Sequence, residues 1–215
     1  MGLLNLRREY SKKHFRVSIF GSARIKKNDK TYKSVKGLGK QAGEEGWDLI
    51  TGGGQGLMGA ATAGHRIGDK KNRAEAIGLT IRLPWEVEPN KQLEMQKHFK
   101  HFSGRLDTFM KLSDVVIVTP GGIGTCLELF YTWQLLQVKH LMNVPIIVVG
   151  KMWEELLKWM HQYPLKAGLI SPENFDHVHV AKTYDQAYKI INKYYKASPK
   201  YEMCEKRKGK KGKRK

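Results

Sequence analysis

Val115-Val116-Ile117-Val118-Thr119-Pro120-Gly121-Gly122-Ile123-Gly124-Thr125-Cys126-Leu127-Glu128 is the stretch that decides the fold. Its first residues are β-branched without polar alternation, the pattern of a strand covered on both faces. A glycine-rich turn follows, and then apolar residues at Leu127, Tyr131, Leu135 and Val138 recur at helical spacing. Strand, glycine turn and helix in that order make the repeating unit of a parallel sheet.

Working outward, the same unit recurs. Arg16-Val17-Ser18-Ile19-Phe20 is a first strand, ending in the turn Gly21-Ser22 and leading to a helix over 31–45. The strand 47–51 runs into Gly52-Gly53-Gly54-Gln55-Gly56-Leu57-Met58-Gly59 and then a small-residue helix over 60–65. Further strands are predicted at 76–81 and 144–149, with helices at 103–112 and 153–161. Thr183 and Gln186 have capping-box spacing and start a last helix ending near Tyr195. The polar, proline-containing segment 84–100 predicts no regular element. These units add up to an α/β fold: a Rossmann-like, three-layer arrangement with a doubly wound, mostly parallel sheet. Residues 16–196 are read as one nucleotide-binding catalytic domain, 1–15 as an N-terminal extension and 197–215 as a basic, disordered tail.

Composition narrows the class. The two cysteines, Cys126 and Cys204, lack metal-ligand spacing and form no disulfide framework. No apolar run spans a membrane and no signal sequence is present, so the expectation is a cytoplasmic protein without membrane contact. Net charge is +19. Eight basic residues and one acidic residue between Glu205 and Lys215 account for +7 of it, so the charge reads first as a solvated tail. Nucleic-acid contact through that tail is the sharper alternative, ranked below it.

In open parallel sheets ligands bind outside the carboxyl ends of the strands, and both glycine runs fall there. The turn Gly121-Gly122-x-Gly124-Thr125 at a helix start forms a cradle of backbone amides suited to a phosphate, with Thr125 adding a hydroxyl. Glu128, one helical turn on, reaches whatever sugar hangs from that phosphate. Thr125-x-x-Glu128 equally matches a capping box, and spacing alone leaves both readings open. Gly54-x-Gly56-x-x-Gly59 resembles a dinucleotide fingerprint, but it follows the second strand and no acidic residue closes the next one, so a nicotinamide cofactor is not expected. Arg105, taken alone, reads as a surface arginine.

The combination is more telling. Gly52-Gly53-Gly54-x-Gly56-Leu57-Met58-Gly59, Arg105 and Pro-Gly-Gly-x-Gly-Thr-x-x-Glu together resemble the LOG family, which includes the cytokinin riboside 5′-monophosphate phosphoribohydrolases long mislabelled as possible lysine decarboxylases. The resemblance covers roughly 17–195. It implies a homodimer that splits an AMP-like nucleoside monophosphate into free base and ribose 5-phosphate, with no cofactor and no metal. Arg105 and Glu128 would be the catalytic pair. Gly21, Ser22, Gly53, Gly54, Met58, Gly121, Gly122, Gly124 and Thr125 would bind substrate and phosphate, and Met58, Phe102 and Phe109 would line the base. The chain departs from the plant-type pattern at Leu106, Leu127 and Ala23, so the base is not carried over. A carrier of a nucleotide or of a molybdenum cofactor is the competing reading. Nothing marks a pyridoxal-phosphate lysine with its supporting groups.

Overall fold

The computed structural model describes residues 2–81 and 92–208. Its elements in chain order are β1 (Gly2–Leu3), α1 (Leu6–Ser11), β2 (Arg16–Phe20), α2 (Lys30–Glu45), β3 (Asp48–Thr51), α3 (Gly56–Gly68), β4 (Ala76–Ile81) and β5 (Met95–Phe99). There follow α4 (Phe102–Leu112), β6 (Val115–Val118), α5 (Ile123–Gln137), β7 (Ile146–Val149), α6 (Lys151–Met160), β8 (Val178–Ala181), α7 (Tyr184–Ala197) and α8 (Tyr201–Lys208). A π-helical turn (His161–Leu165) and a 3-10 turn (Pro172–Phe175) link α6 to β8.

All strand pairs are parallel, in the order β1-β5-β4-β3-β2-β6-β7-β8. The neighbouring inner strands β3, β2 and β6 are buried along their whole length, as strands covered on both faces require, and β6 is an unbroken β-branched run. Val17 and Ile19 join Val35, Leu57 and Ile191 in a core under α2, α3 and α7. Phe20 joins Phe109, Leu129 and Trp153 in a second core under α4, α5 and α6. The chain winds from β2 outward to β5, then returns to β6 on the other side of β2. That reversal opens a crevice at the carboxyl ends of β3, β2 and β6, where ligands bind in sheets of this kind.

Helices α2 and α3 approach closely because glycine lies between them. A Cβ on Gly64 would lie 1.9 Å from the Lys36 carbonyl oxygen, and one on Gly43 would lie 2.2 Å from that of His65. Both obstacles are backbone, so neither can swing away. Gly64→Ala is therefore expected to lower unfolding free energy by roughly 3 kcal/mol, read by urea denaturation. A loss under about 0.5 kcal/mol would mean the helices separate at little cost.

Two boundaries differ from the sequence reading. Within 1–15, read as an N-terminal extension, the described residues 2–15 pack on the domain: β1 pairs with β5, and Phe15 lies in the first core. Glu9 of α1 is buried against Arg16 at 3.0 Å, so an ion pair joins Leu4 and Phe15 in holding this short, charge-rich segment. Nor is the segment after 196 wholly a tail. Helix α8 puts Cys204 into the same core, and Lys200 pairs with Asp114 at 2.7 Å. Residues 209–215 lie outside the described residues. Of the segment 84–100, with no expected element, 84–91 is likewise outside them, while Met95–Phe99 forms β5. Its half-exposed, polar-rich sequence carries little strand signal. Among the described residues no helix is long and apolar enough to cross a membrane.

Candidate active site

The first turns after β2, β3 and β6 are tied together at the carboxyl edge of the sheet. The Ser22 amide donates to the Pro120 carbonyl at 3.0 Å, and the Leu57 amide donates to the Ser22 carbonyl at 2.9 Å. Gly56 makes this contact possible. Its φ of +61° is left-handed, and a Cβ there would sit 2.4 Å from the Ser22 carbonyl oxygen. The Ser22 hydroxyl accepts from the Arg24 amide at 3.1 Å. Gly21 and Gly53 are buried, Gly54 and Met58 half-buried.

The turn after β6 removes the capping-box reading of Thr125 and Glu128. Helix α5 is N-capped by Gly122, with no side-chain capping bond. Thr125 and Glu128 both lie inside the helix, so they form no capping box. The first-turn amides of α5 are left without a side-chain acceptor, the condition for an anion site. Gly122 and Gly124 are exposed, and nothing lies within 4 Å of where a Cβ would stand. Thr125 is buried and folds back on Gly121, its hydroxyl oxygen 2.1 Å from the position of a Cβ on that residue.

Glu128, on the next turn, is 9% exposed, as is Arg105. Arg105 Nη1 stands 3.5 Å from Glu128 Oε1. The surface reading of Arg105 is thus overturned. Its Nε donates to the Leu79 carbonyl at 2.7 Å, and its guanidinium lies 5.3 Å over the Phe109 ring. Gly52 leaves room for it, since a Cβ there would be 2.4 Å from Arg105 Nη2 and 2.8 Å from Met58 Sδ. Farther along, the Tyr131 hydroxyl donates to Asp107 and fixes α4 to α5 near the pair.

Burial drives the Glu128 carboxyl up from 4.5 to about 7, and the nearby Arg105 charge pulls it back in part. Desolvation outweighs the ion pair, whose 3.5 Å separation is longer than a charge-assisted hydrogen bond. A carboxyl that titrates near neutrality exchanges protons readily at physiological pH.

The structure brings Arg105, Glu128, Met58, Thr125 and the glycine turns to one edge. Phe109 is placed differently: it is fully buried, packs on Phe20 at 4.8 Å and supports the guanidinium from below, so it cannot line a base. Phe102, at the start of α4, is 46% exposed. Sequence reasoning missed Gly52 as the space for Arg105 and the Leu79 carbonyl as its anchor. The Gly-Gly-Gly run signalled a close approach without saying of what. Among the described residues no group of three or more His, Cys, Asp or Glu could hold a metal ion.

Residues 58–191 match the family model described as possible lysine decarboxylase. A pyrimidine/purine nucleotide 5′-monophosphate nucleosidase of Escherichia coli K12 is 29% identical over 129 residues. The match spans 57% of this chain and 28% of that longer relative. Among solved structures, the molybdenum cofactor carrier protein of Chlamydomonas reinhardtii superposes with a TM-score of 0.60 at 20% identity, covering 84% of this chain and 98% of the carrier. The molybdenum cofactor binding protein of Rippkaea orientalis does so with a TM-score of 0.60 at 21% identity, over 85% and 98%. At such identities the likeness establishes the fold.

Proposed function

The chain belongs to the possible lysine decarboxylase, or LOG, family, and from that premise we propose that it hydrolyses the N-glycosidic bond of a nucleoside 5′-monophosphate. The observation that carries this reading is the buried Arg105–Glu128 pair one turn beyond an uncapped helix start. From Thr125 to Glu128 the helix rises about 4.5 Å, comparable to the reach of a ribose from its 5′ carbon to its anomeric carbon. A phosphate on the first-turn amides of α5, with Thr125 beside it, sets the sugar against the carboxylate.

Cleavage passes through a sugar cation resembling an oxocarbenium ion, which needs nearby negative charge and a positioned water. Glu128, ionised, supplies both. Its carboxylate faces the anomeric carbon and takes a proton from the attacking water. The electron pair of the broken bond leaves with the base nitrogen, which picks up a proton from solvent. Arg105 holds the carboxylate in place. Phosphate binding, remote from the reacting bond, supplies the positioning energy. No cofactor or metal enters this scheme. Decarboxylation through pyridoxal phosphate would need a Schiff-base lysine, and neither glycine turn nor the segment 102–109 contains one.

The homodimer belongs to the same proposal. Helix α5 exposes Ile123 at 87%, with Leu127 and Phe130 on later turns, an apolar stripe bordering the site. A monomer by light scattering would remove that part.

The reading is tested by incubating the protein with a panel of nucleoside 5′-monophosphates and the matching nucleosides, and separating free base by chromatography. Base release from monophosphates and not from nucleosides is expected. Ligand-induced thermal stabilisation without release from any of them would replace hydrolysis with carriage, the role named for the structural neighbours.

A further inference from the structure

Charge is unevenly divided between the two helical layers. Helices α2, α3 and α7 hold eight Lys or Arg against three Asp or Glu, whereas α4, α5 and α6 hold four against four. Two of the three acids are engaged: Glu45 accepts the Tyr188 hydroxyl at 2.8 Å, and Glu44 faces Lys40 at 3.4 Å. The excess of positive charge is therefore carried by the folded layer itself and not by the terminal segment alone.

Helices α2 and α7 lie side by side. Tyr188 and Tyr195 of α7 both pack on Trp47, next to the end of α2, and the Tyr188 hydroxyl donates to Glu45. Each helix follows a strand of the all-parallel sheet and packs back onto the same core, so the two run in the same direction. Lys30, Lys33 and Lys40 on α2 and Lys189, Lys193 and Lys196 on α7 are all exposed. They form a two-row band, with neighbours about 5–10 Å apart along each row. We propose that this lysine band docks the sugar–phosphate backbone of a nucleic-acid duplex by neutralising phosphates, without reading sequence.

The choice of partner follows from what the layer lacks. An anionic membrane surface is bound through basic residues accompanied by apolar anchors. Among the described residues of α2, α3 and α7, Ile67 is the one exposed large hydrophobic side chain, while Phe102, Ile123, Leu127 and Trp159 are exposed on the opposite layer. Single-strand binding draws on exposed aromatic platforms, whereas Tyr32, Tyr184, Tyr188 and Tyr194 on these helices are half-buried against the core. Lysines on two parallel helices suit a regular row of phosphates.

The test uses the full chain and a labelled mixed-sequence duplex of about 20 base pairs, followed by fluorescence anisotropy. If four phosphates are neutralised, Kd should rise about a hundredfold between about 50 and about 200 mM salt. The quadruple variant Lys33→Glu, Lys40→Glu, Lys189→Glu, Lys193→Glu should bind at least about tenfold more weakly at the lower salt, with an unchanged thermal midpoint. A second full-length variant, with Lys210, Lys211, Lys213, Arg214 and Lys215 replaced by serine, should retain most of the affinity. Binding that survives the quadruple variant and disappears in the serine variant would overturn the proposal in favour of the tail. Absence of duplex binding, with or without binding to phosphatidylglycerol vesicles, would overturn it as well.

Discussion

Glu128→Gln is expected to lower the rate of base release by on the order of 10³-fold while leaving the protein folded and more resistant to unfolding at neutral and alkaline pH. The two effects have one cause. Glutamine keeps the shape of the side chain and an oxygen toward Arg105, but it carries no charge to stabilise the sugar cation and no basic site for the proton of water. Stability moves the other way because the folded protein resists ionising this group. Below 4.5 the carboxyl is neutral in both states and its contribution to stability is fully present. As pH rises toward about 7 the unfolded chain ionises first, and the stability that burial gave the neutral form is lost through that window. Above it the wild type carries a buried charge that glutamine avoids. The gain is at most about 3 kcal/mol, less the cost of removing the Glu128 charge from beside Arg105. Thermal midpoints measured across pH should differ most near pH 8 and converge below pH 5, by a few degrees at the upper end. Near-normal turnover in the variant would sink the mechanism. A midpoint difference independent of pH would show that Glu128 does not titrate as its surroundings imply. Function and stability are opposed at this residue, as is common at active sites.

How much of this was legible in the sequence follows from which interactions are local. The strand Val115–Val118 and the turn behind it announce themselves, because an unbroken β-branched run and a Pro-Gly-Gly turn each have one ready structural meaning. Even the carboxyl edge as the place of the site comes from topology alone. Less local features were hidden. Thr125 and Glu128 fit a capping box until the structure shows Gly122 as the N-cap of the helix, since capping and anion binding draw on the same residue types. Phe109 has the composition of a pocket wall, and a burial that three-dimensional packing alone assigns to the core. The strand Met95–Phe99 reads as a polar connection because its burial is partial, leaving few apolar positions to mark it. Glu9 and Arg16 are seven positions apart and signal nothing until α1 folds over the start of β2. The charge of the α2–α7 layer is hidden in a net value of +19 because charge along a sequence does not show which helices share a face.

Arg105→Ala tests the other half of the pair, and its most informative readout is the pH profile of kcat/KM. If ionised Glu128 is the working form, activity in the wild type rises with pH through about 7 and then levels. Arg105 draws that carboxyl down against the larger pull of burial. Without the guanidinium the carboxyl ionises later, so the rising limb should move to higher pH. At neutral pH the rate should fall by about 10²-fold, part of it recovered as the pH is raised. A structural role would not do this: loss of the Leu79 and Phe109 contacts lowers the thermal midpoint and the amount of active protein but leaves the limb where it was. Arg105→Lys separates the two contributions further. Lysine keeps a positive charge near Glu128 but cannot donate sideways to the Leu79 carbonyl from a planar group, so the rate should fall with less displacement of the limb. An unmoved limb in Arg105→Ala would assign the wild-type ionisation to a different group and reduce Arg105 to a support for the fold. A limb displaced upward in alanine and less so in lysine would tie the geometry of the pair, buried and 3.5 Å apart, to the protonation state on which the chemistry depends.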